Sequence, residues 1–174
     1  MIVLLIGAAN ISLCAQEQPD KLRLSGSFHS DILLPERDKS TGADAHDGHF
    51  LTNTYLNLKA TSRYVEAGTR LEYLQHPLPG FEKDFKGWGL PYLYVKGNYK
   101  NVELTLGDFY EQFGSGFILR TYEERSLGID NSLQGLRFSV RPWAGLAVKM
   151  LAGRQRRYWK HNNSWLTGGD IEWN

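Results

Sequence analysis

Long runs in which apolar and polar residues alternate one by one constrain this chain more than anything else in it. Leu22, Leu24, Gly26 and Phe28 alternate with Arg23, Ser25, Ser27 and His29. Val65, Ala67, Thr69, Leu71 and Tyr73 alternate with Glu66, Gly68, Arg70 and Glu72. The same period recurs at Leu56–Thr61, Val102–Gly107, Leu136–Arg141 and Leu146–Met150. A period of two places successive side chains on opposite faces of a β-strand. No stretch carries the i, i+3, i+4, i+7 stripe of an amphipathic helix. The expected strands are 22–34, 51–62, 64–75, 90–99, 102–110, 134–141, 145–157 and 164–173.

The connections between these strands sort into two kinds, in strict alternation. Tight joins fall around Arg63, at Lys100-Asn101 and at Pro142-Trp143-Ala144, and longer ones at 35–50, 76–89, 111–133 and 158–163. A β-sandwich has no reason to sort its loops this way. A transmembrane barrel does, with short turns at one rim and long loops at the other. Most of these strands also reach the roughly 9–11 residues of a tilted spanning strand, against about 5–6 in soluble sheets. Aromatic residues collect at strand ends, among them Tyr64, Tyr73, Trp88, Tyr99, Trp143, Trp165 and Trp173. Two interfacial girdles would have that distribution, although aromatics also favour strands in general. The expected fold is therefore an all-β, antiparallel transmembrane β-barrel with about eight strands in this chain, as a complete barrel or as part of a larger one. Lys59, Arg70, Glu72, Arg137 and Arg141 would then face its interior.

Other classes are disfavoured. With 20 Lys+Arg against 19 Asp+Glu, the chain lacks the basic field of a nucleic-acid binder. Its 13% aromatic content argues against disorder. No apolar run approaches the roughly 20 residues of a spanning helix. Residues 1–15 (MIVLLIGAANISLCA) are uncharged and have the length of a signal-peptide core, with Ala15-Gln16 a suitable cleavage point. They are expected to be a cleaved export signal, leaving 16–174 as the β-barrel domain, although no positive residue precedes Lys21. Cys14 is the single cysteine. Lipidation there would prefer a small residue before it, and Leu13 is not small. Cleavage after Ala15 would leave no cysteine for a disulfide, a zinc site or a nucleophile.

The most distinctive stretch is Gly107 to Gly135, GDFYEQFGSGFILRTYEERSLGIDNSLQG. The step Gly107-Asp108-Phe109-Tyr110, the turn Phe113-Gly114 with Gly116, then Arg120, and then Gly128, Asp130 and Asn131 resemble a family of uncharacterised Bacteroidetes-type outer-membrane β-barrel proteins. The resemblance implies a bacterial outer-membrane location and a domain of unknown function. Members of that family look longer, which implies an N-terminal fragment here. If loop 111–133 folds inward, Arg120, Glu123, Glu124, Arg125 and Asp130 would form a mixed-charge constriction of the kind that sets solute preference. Otherwise it is a solvated outer loop or a further hairpin through Gly116 to Thr121.

Arg154, Arg156 and Arg157, with Lys160 and His161, form the one basic run. They are candidates for contact with anionic lipid headgroups, and the alternative is a solvated strand end. Asp44, His46, Asp47 and His49 match no common metal-ligand spacing and read as a polar turn, so no metal is expected. No cofactor is expected either. Ser115 lies between glycines, but Phe113 and Phe117 break the Gly-x-Ser-x-Gly elbow. The expected role is a non-enzymatic outer-membrane barrel, a passive porin-like channel or a structural component, with membrane lipid and small solutes as partners and no nucleic acid. The alternatives are a secreted or surface β-sandwich that binds glycans and a barrel hydrolase.

Overall fold

The computed structural model describes residues 3–4, 21–35 and 50–173. Its elements are β1 (Val3–Leu4), β2 (Arg23–Leu33), β3 (Leu51–Thr61), β4 (Val65–His76), β5 (Gly87–Tyr99), β6 (Val102–Phe109), β7 (Glu123–Glu124), β8 (Ile129–Asp130), β9 (Leu133–Val140), β10 (Leu146–Arg157), β11 (Lys160–His161) and β12 (Leu166–Trp173). Two one-turn 3₁₀ segments, Lys83–Phe85 and Arg125–Leu127, are the only helical elements among the described residues. Eight of the strands run 8 to 13 residues, and each overlaps one of the alternating runs. The expected export signal and the Asp44–His49 turn lie outside the described residues, apart from Val3 and Leu4.

The long strands form one antiparallel sheet in the order β2-β3-β4-β5-β6-β9-β10-β12, each beside its neighbour in sequence. The short hairpin β7-β8 stands apart from it. β11 extends the far end of β10, and β1 pairs two residues at the end of β2. Among the described residues the sheet does not close: β12 pairs only with β10.

The sheet is nevertheless strongly curved. β4 and β10 are separated by three strands, or about 19 Å across a flat sheet at about 4.8 Å per step. Arg156 Nη2 of β10 still reaches Glu72 Oε2 of β4 at 2.8 Å. Part of the bend traces to three glycines aligned across adjacent strands, Gly107, Gly135 and Gly153. A Cβ at Gly135 would lie 2.0 Å from the Ala152 carbonyl oxygen. One at Gly107, where φ is +100°, would lie 2.2 Å from that of Leu93. Only glycine allows the backbones to approach so closely at such a corner.

The two faces are inverted relative to a water-soluble sheet. Leu24, Leu58, Leu93, Leu106, Leu136 and Ile171 share one face and are all exposed, Leu58 at 50% and Leu106 at 51%. Arg70, Glu72 and Thr105 lie on the other face and are buried. That inner face holds two small apolar clusters near the long-loop end. Phe113 and Leu119 of the 110–132 connection pack on Phe109, Leu133, Leu151 and Leu166. Phe81, Phe85, Tyr158 and Trp159 close over Tyr55 and Leu74.

Candidate functional site

The inner face carries a buried charge network whose members come from five different elements. Arg70 and Glu72 stand two apart on β4, so both point inward. Arg70 Nη1 donates to Glu72 Oε1 at 3.2 Å and to Asp130 Oδ2 at 3.1 Å, and its Nη2 donates to Glu123 Oε2 at 2.9 Å. Arg156 Nη1 reaches Asp130 Oδ2 at 2.5 Å and Glu72 Oε1 at 3.2 Å, and its Nε donates to the Tyr158 carbonyl at 2.7 Å. Arg125 Nε donates to Glu123 Oε1 at 2.6 Å, and its guanidinium lies 4.3 Å from the ring centre of Tyr55. Three arginines thus meet three carboxylates, and the network is neutral. Neutrality matters because an unpaired charge in a low-dielectric site costs several kcal/mol.

The 110–132 connection supplies Glu123, Arg125 and Asp130 to this network. Its β7-β8 hairpin is held by the Arg125–Leu127 turn, where Glu124 Oε1 accepts from the backbone N–H of Ser126. The Ser126 Oγ donates to the same oxygen at 2.6 Å, and the two bonds lower the pKa of the Glu124 carboxyl. At the entrance to the connection Tyr110 stacks on Tyr92 with ring centres 5.3 Å apart. Burial raises the Tyr110 phenol well above the ordinary tyrosine value, and the nearby Asp130 charge raises it further.

Of the residues expected in a constriction, Glu123, Arg125 and Asp130 therefore come together. Arg120 and Glu124 do not. Arg120 stacks over Tyr122 at 5.1 Å and forms a bridge with Gln112, while Glu124 faces outward at its turn.

The basic run separates as well. Arg154 lies over Trp165 at 5.7 Å and Arg157 over Tyr158 at 5.9 Å. Arg156 is a correction to the headgroup reading. Its side chain is 1% exposed and buried in ion pairs with Glu72 and Asp130, out of reach of a lipid headgroup.

Nearer the tight turns the inner face continues as a ladder of ion pairs. Lys59 and Lys96 flank Glu66 at 2.6 and 3.4 Å, and Tyr94 donates to the same carboxylate at 2.8 Å. Arg137 bridges Glu103 and Glu111. Lys149 lies 3.2 Å from Glu172 and 3.8 Å from Asp170. Arg70, Glu72, Lys59 and Arg137 are legible as inward residues from the alternation. Their partners Asp130, Glu111 and Glu123 are not, because they come from a connection without periodicity.

No group of three or more potential metal ligands occurs among the described residues. Asp108 is buried on β6, accepts from the Leu93 N–H at 2.8 Å and lies 3.4 Å from His161 Nε2. Ser115 sits in an exposed turn.

No curated protein and no solved structure matches this chain at a significant level. A family model does match, over residues 1–174, and its description is a family of unknown function, DUF6029. The chain belongs to that family.

Proposed function

We propose that this chain forms the wall of an outer-membrane β-barrel whose interior is narrowed by the 110–132 connection, acting as a structural component or a restricted passive pore. The inversion of the two faces carries this reading. In water, apolar patches beyond a few hundred Å² are uncommon on monomers, yet here one face of the sheet carries exposed leucines on strand after strand. In hydrocarbon the same arrangement is favourable, and the charged groups then sit on the face away from lipid.

Belt spacing supports the reading. Tyr64, Tyr99 and Trp173 lie at the tight-turn end, all exposed, and Tyr73, Trp88 and Trp165 lie toward the long-loop end, also exposed. From Tyr64 to Tyr73 is nine residues along β4, about 30 Å at about 3.3 Å each. A strand tilt of about 40° reduces this to about 23 Å, close to the apolar band of about 25 Å in outer-membrane barrels. Arg154 and Arg157, held against Trp165 and Tyr158 at the long-loop rim, suit contact with anionic headgroups.

The interior bears on the mechanism. Because Arg70, Arg156 and Arg125 are fully engaged by Glu72, Asp130 and Glu123, the network presents no net charge to a passing ion. Solute would pass beside it and would not bind within it. The test is fractionation of the expressed chain, followed by gel migration with and without heating. Recovery in the outer membrane and faster migration unheated support the reading. Extraction as a soluble protein with no heat shift would overturn it.

A further inference from the structure

At the tight-turn end of the inner face four strand ends line up. Arg141 N donates to the Asn101 carbonyl at 2.9 Å, joining the end of β9 to that of β6. Ala147 of β10 comes next in the row, and Glu172 of β12 lies opposite Ala147 in register. Ala147 contributes only a methyl group between longer neighbours. The result is a hollow of about 400 Å³, walled by Trp143 from the turn between β9 and β10. That volume falls within the range of small-ligand sites.

Arg141 is unlike the other arginines of this face. Arg70, Arg137 and Arg156 each meet at least two carboxylates. Arg141 has no carboxylate within ion-pair distance among the described residues. Glu172, which lines the same hollow, is engaged by Lys149 at 3.2 Å. The Trp143 side chain is 58% exposed and the Asn101 residue is exposed. Among the described residues the hollow therefore presents a guanidinium without a carboxylate partner, an open indole and an amide side by side.

We propose that this hollow binds an acidic sugar. A carboxylate takes the two-pronged hydrogen bond of the Arg141 guanidinium. The apolar face of the pyranose ring lies against Trp143, and a ring hydroxyl bonds to the Asn101 amide. Glu172 across the hollow repels a second anionic group, which favours one carboxylate per site over a polyphosphate. The hollow is formed by the sheet itself and does not require that the sheet lie in a bilayer, so this site and the membrane reading fail separately.

The test is isothermal titration of the full chain, folded in detergent, with a tetrasaccharide of glucuronic acid and with the neutral tetrasaccharide of glucose. Saturable binding of the acidic probe is expected, with the neutral one at least about tenfold weaker, as loss of a charge-assisted hydrogen bond implies. Arg141→Gln and Trp143→Ala each weaken the acidic probe by about tenfold or more, and Arg154→Gln leaves it unchanged. Both altered side chains are exposed, and an unchanged far-ultraviolet circular dichroism spectrum confirms that each variant is folded. Equal binding of the two probes, undiminished binding by Arg141→Gln, or no saturable binding would each overturn the proposal.

Discussion

Replacing Arg156 with Met removes the guanidinium that ties β10 to β4 and to the 110–132 connection. Arg156 donates to both oxygens of Glu72, to Asp130 and to the Tyr158 carbonyl. The Glu72 and Asp130 side chains are only 3% and 8% exposed. Without Arg156 both depend on Arg70 alone, which also serves Glu123. Breaking one side of such a pair costs about 3–5 kcal/mol, because a buried charge is left uncompensated. With a urea dependence of about 2 kcal/mol per molar, the unfolding midpoint of detergent-folded protein falls by about 2 M. Glu72→Gln in the same chain removes one of the stranded charges and recovers part of the loss, which a double-mutant cycle measures. Lys86→Gln, at an exposed position outside the network, serves as the control and leaves the midpoint unchanged. The reasoning is refuted if Arg156→Met unfolds at the control's midpoint, or if the double variant is less stable than Arg156→Met alone.

Three further outcomes follow from the geometry. Gly135→Ala drives a methyl into the Ala152 carbonyl oxygen and destabilises by about 2 kcal/mol or more, whereas Gly97→Ala, with open space around it, shows no comparable loss when the two are unfolded in parallel. Leu106→Arg costs about 2–4 kcal/mol in lipid vesicles if this face meets the bilayer core, and near nothing if it meets water, as refolding titrations will distinguish. The raised Tyr110 phenol favours the protonated form in the fold. Its contribution is fully present below the unfolded value of about 10 and is lost as pH rises through the folded value, so the stability of wild type relative to Tyr110→Phe declines above about pH 10 in urea titrations.

The strands were legible because alternation is a local signal. The run 51–62 became Leu51–Thr61, and 64–75 became Val65–His76, within a residue of each limit. The inward side of Arg70 and Glu72 followed from the same parity. The charge network did not, because the pairings that tie Arg70 to Asp130 and Glu123, and Arg156 to Asp130 and Glu72, join residues 26 to 84 positions apart, and nothing local marks Asp130 as the partner of both Arg70 and Arg156. The β7-β8 hairpin was hidden for a related reason: two-residue strands are too short to show a period. Arg156 was misassigned because Arg154, Arg156 and Arg157 look alike in sequence. What separates them is that Arg156 alone meets Glu72 and Asp130, and both partners lie far from it in sequence.

The claim that the apolar face meets lipid is tested most directly at two neighbouring residues of β6. Leu106 is exposed on one face and Thr105 is buried on the other. Each is replaced with Cys in a Cys14→Ser background, labelled with an environment-sensitive fluorophore and reconstituted into vesicles containing lipids with spin labels along their acyl chains. Strong quenching at position 106 and weak quenching at position 105 are predicted. Equal quenching at the two positions, or none at 106, would contradict a sheet that turns its apolar face to the membrane.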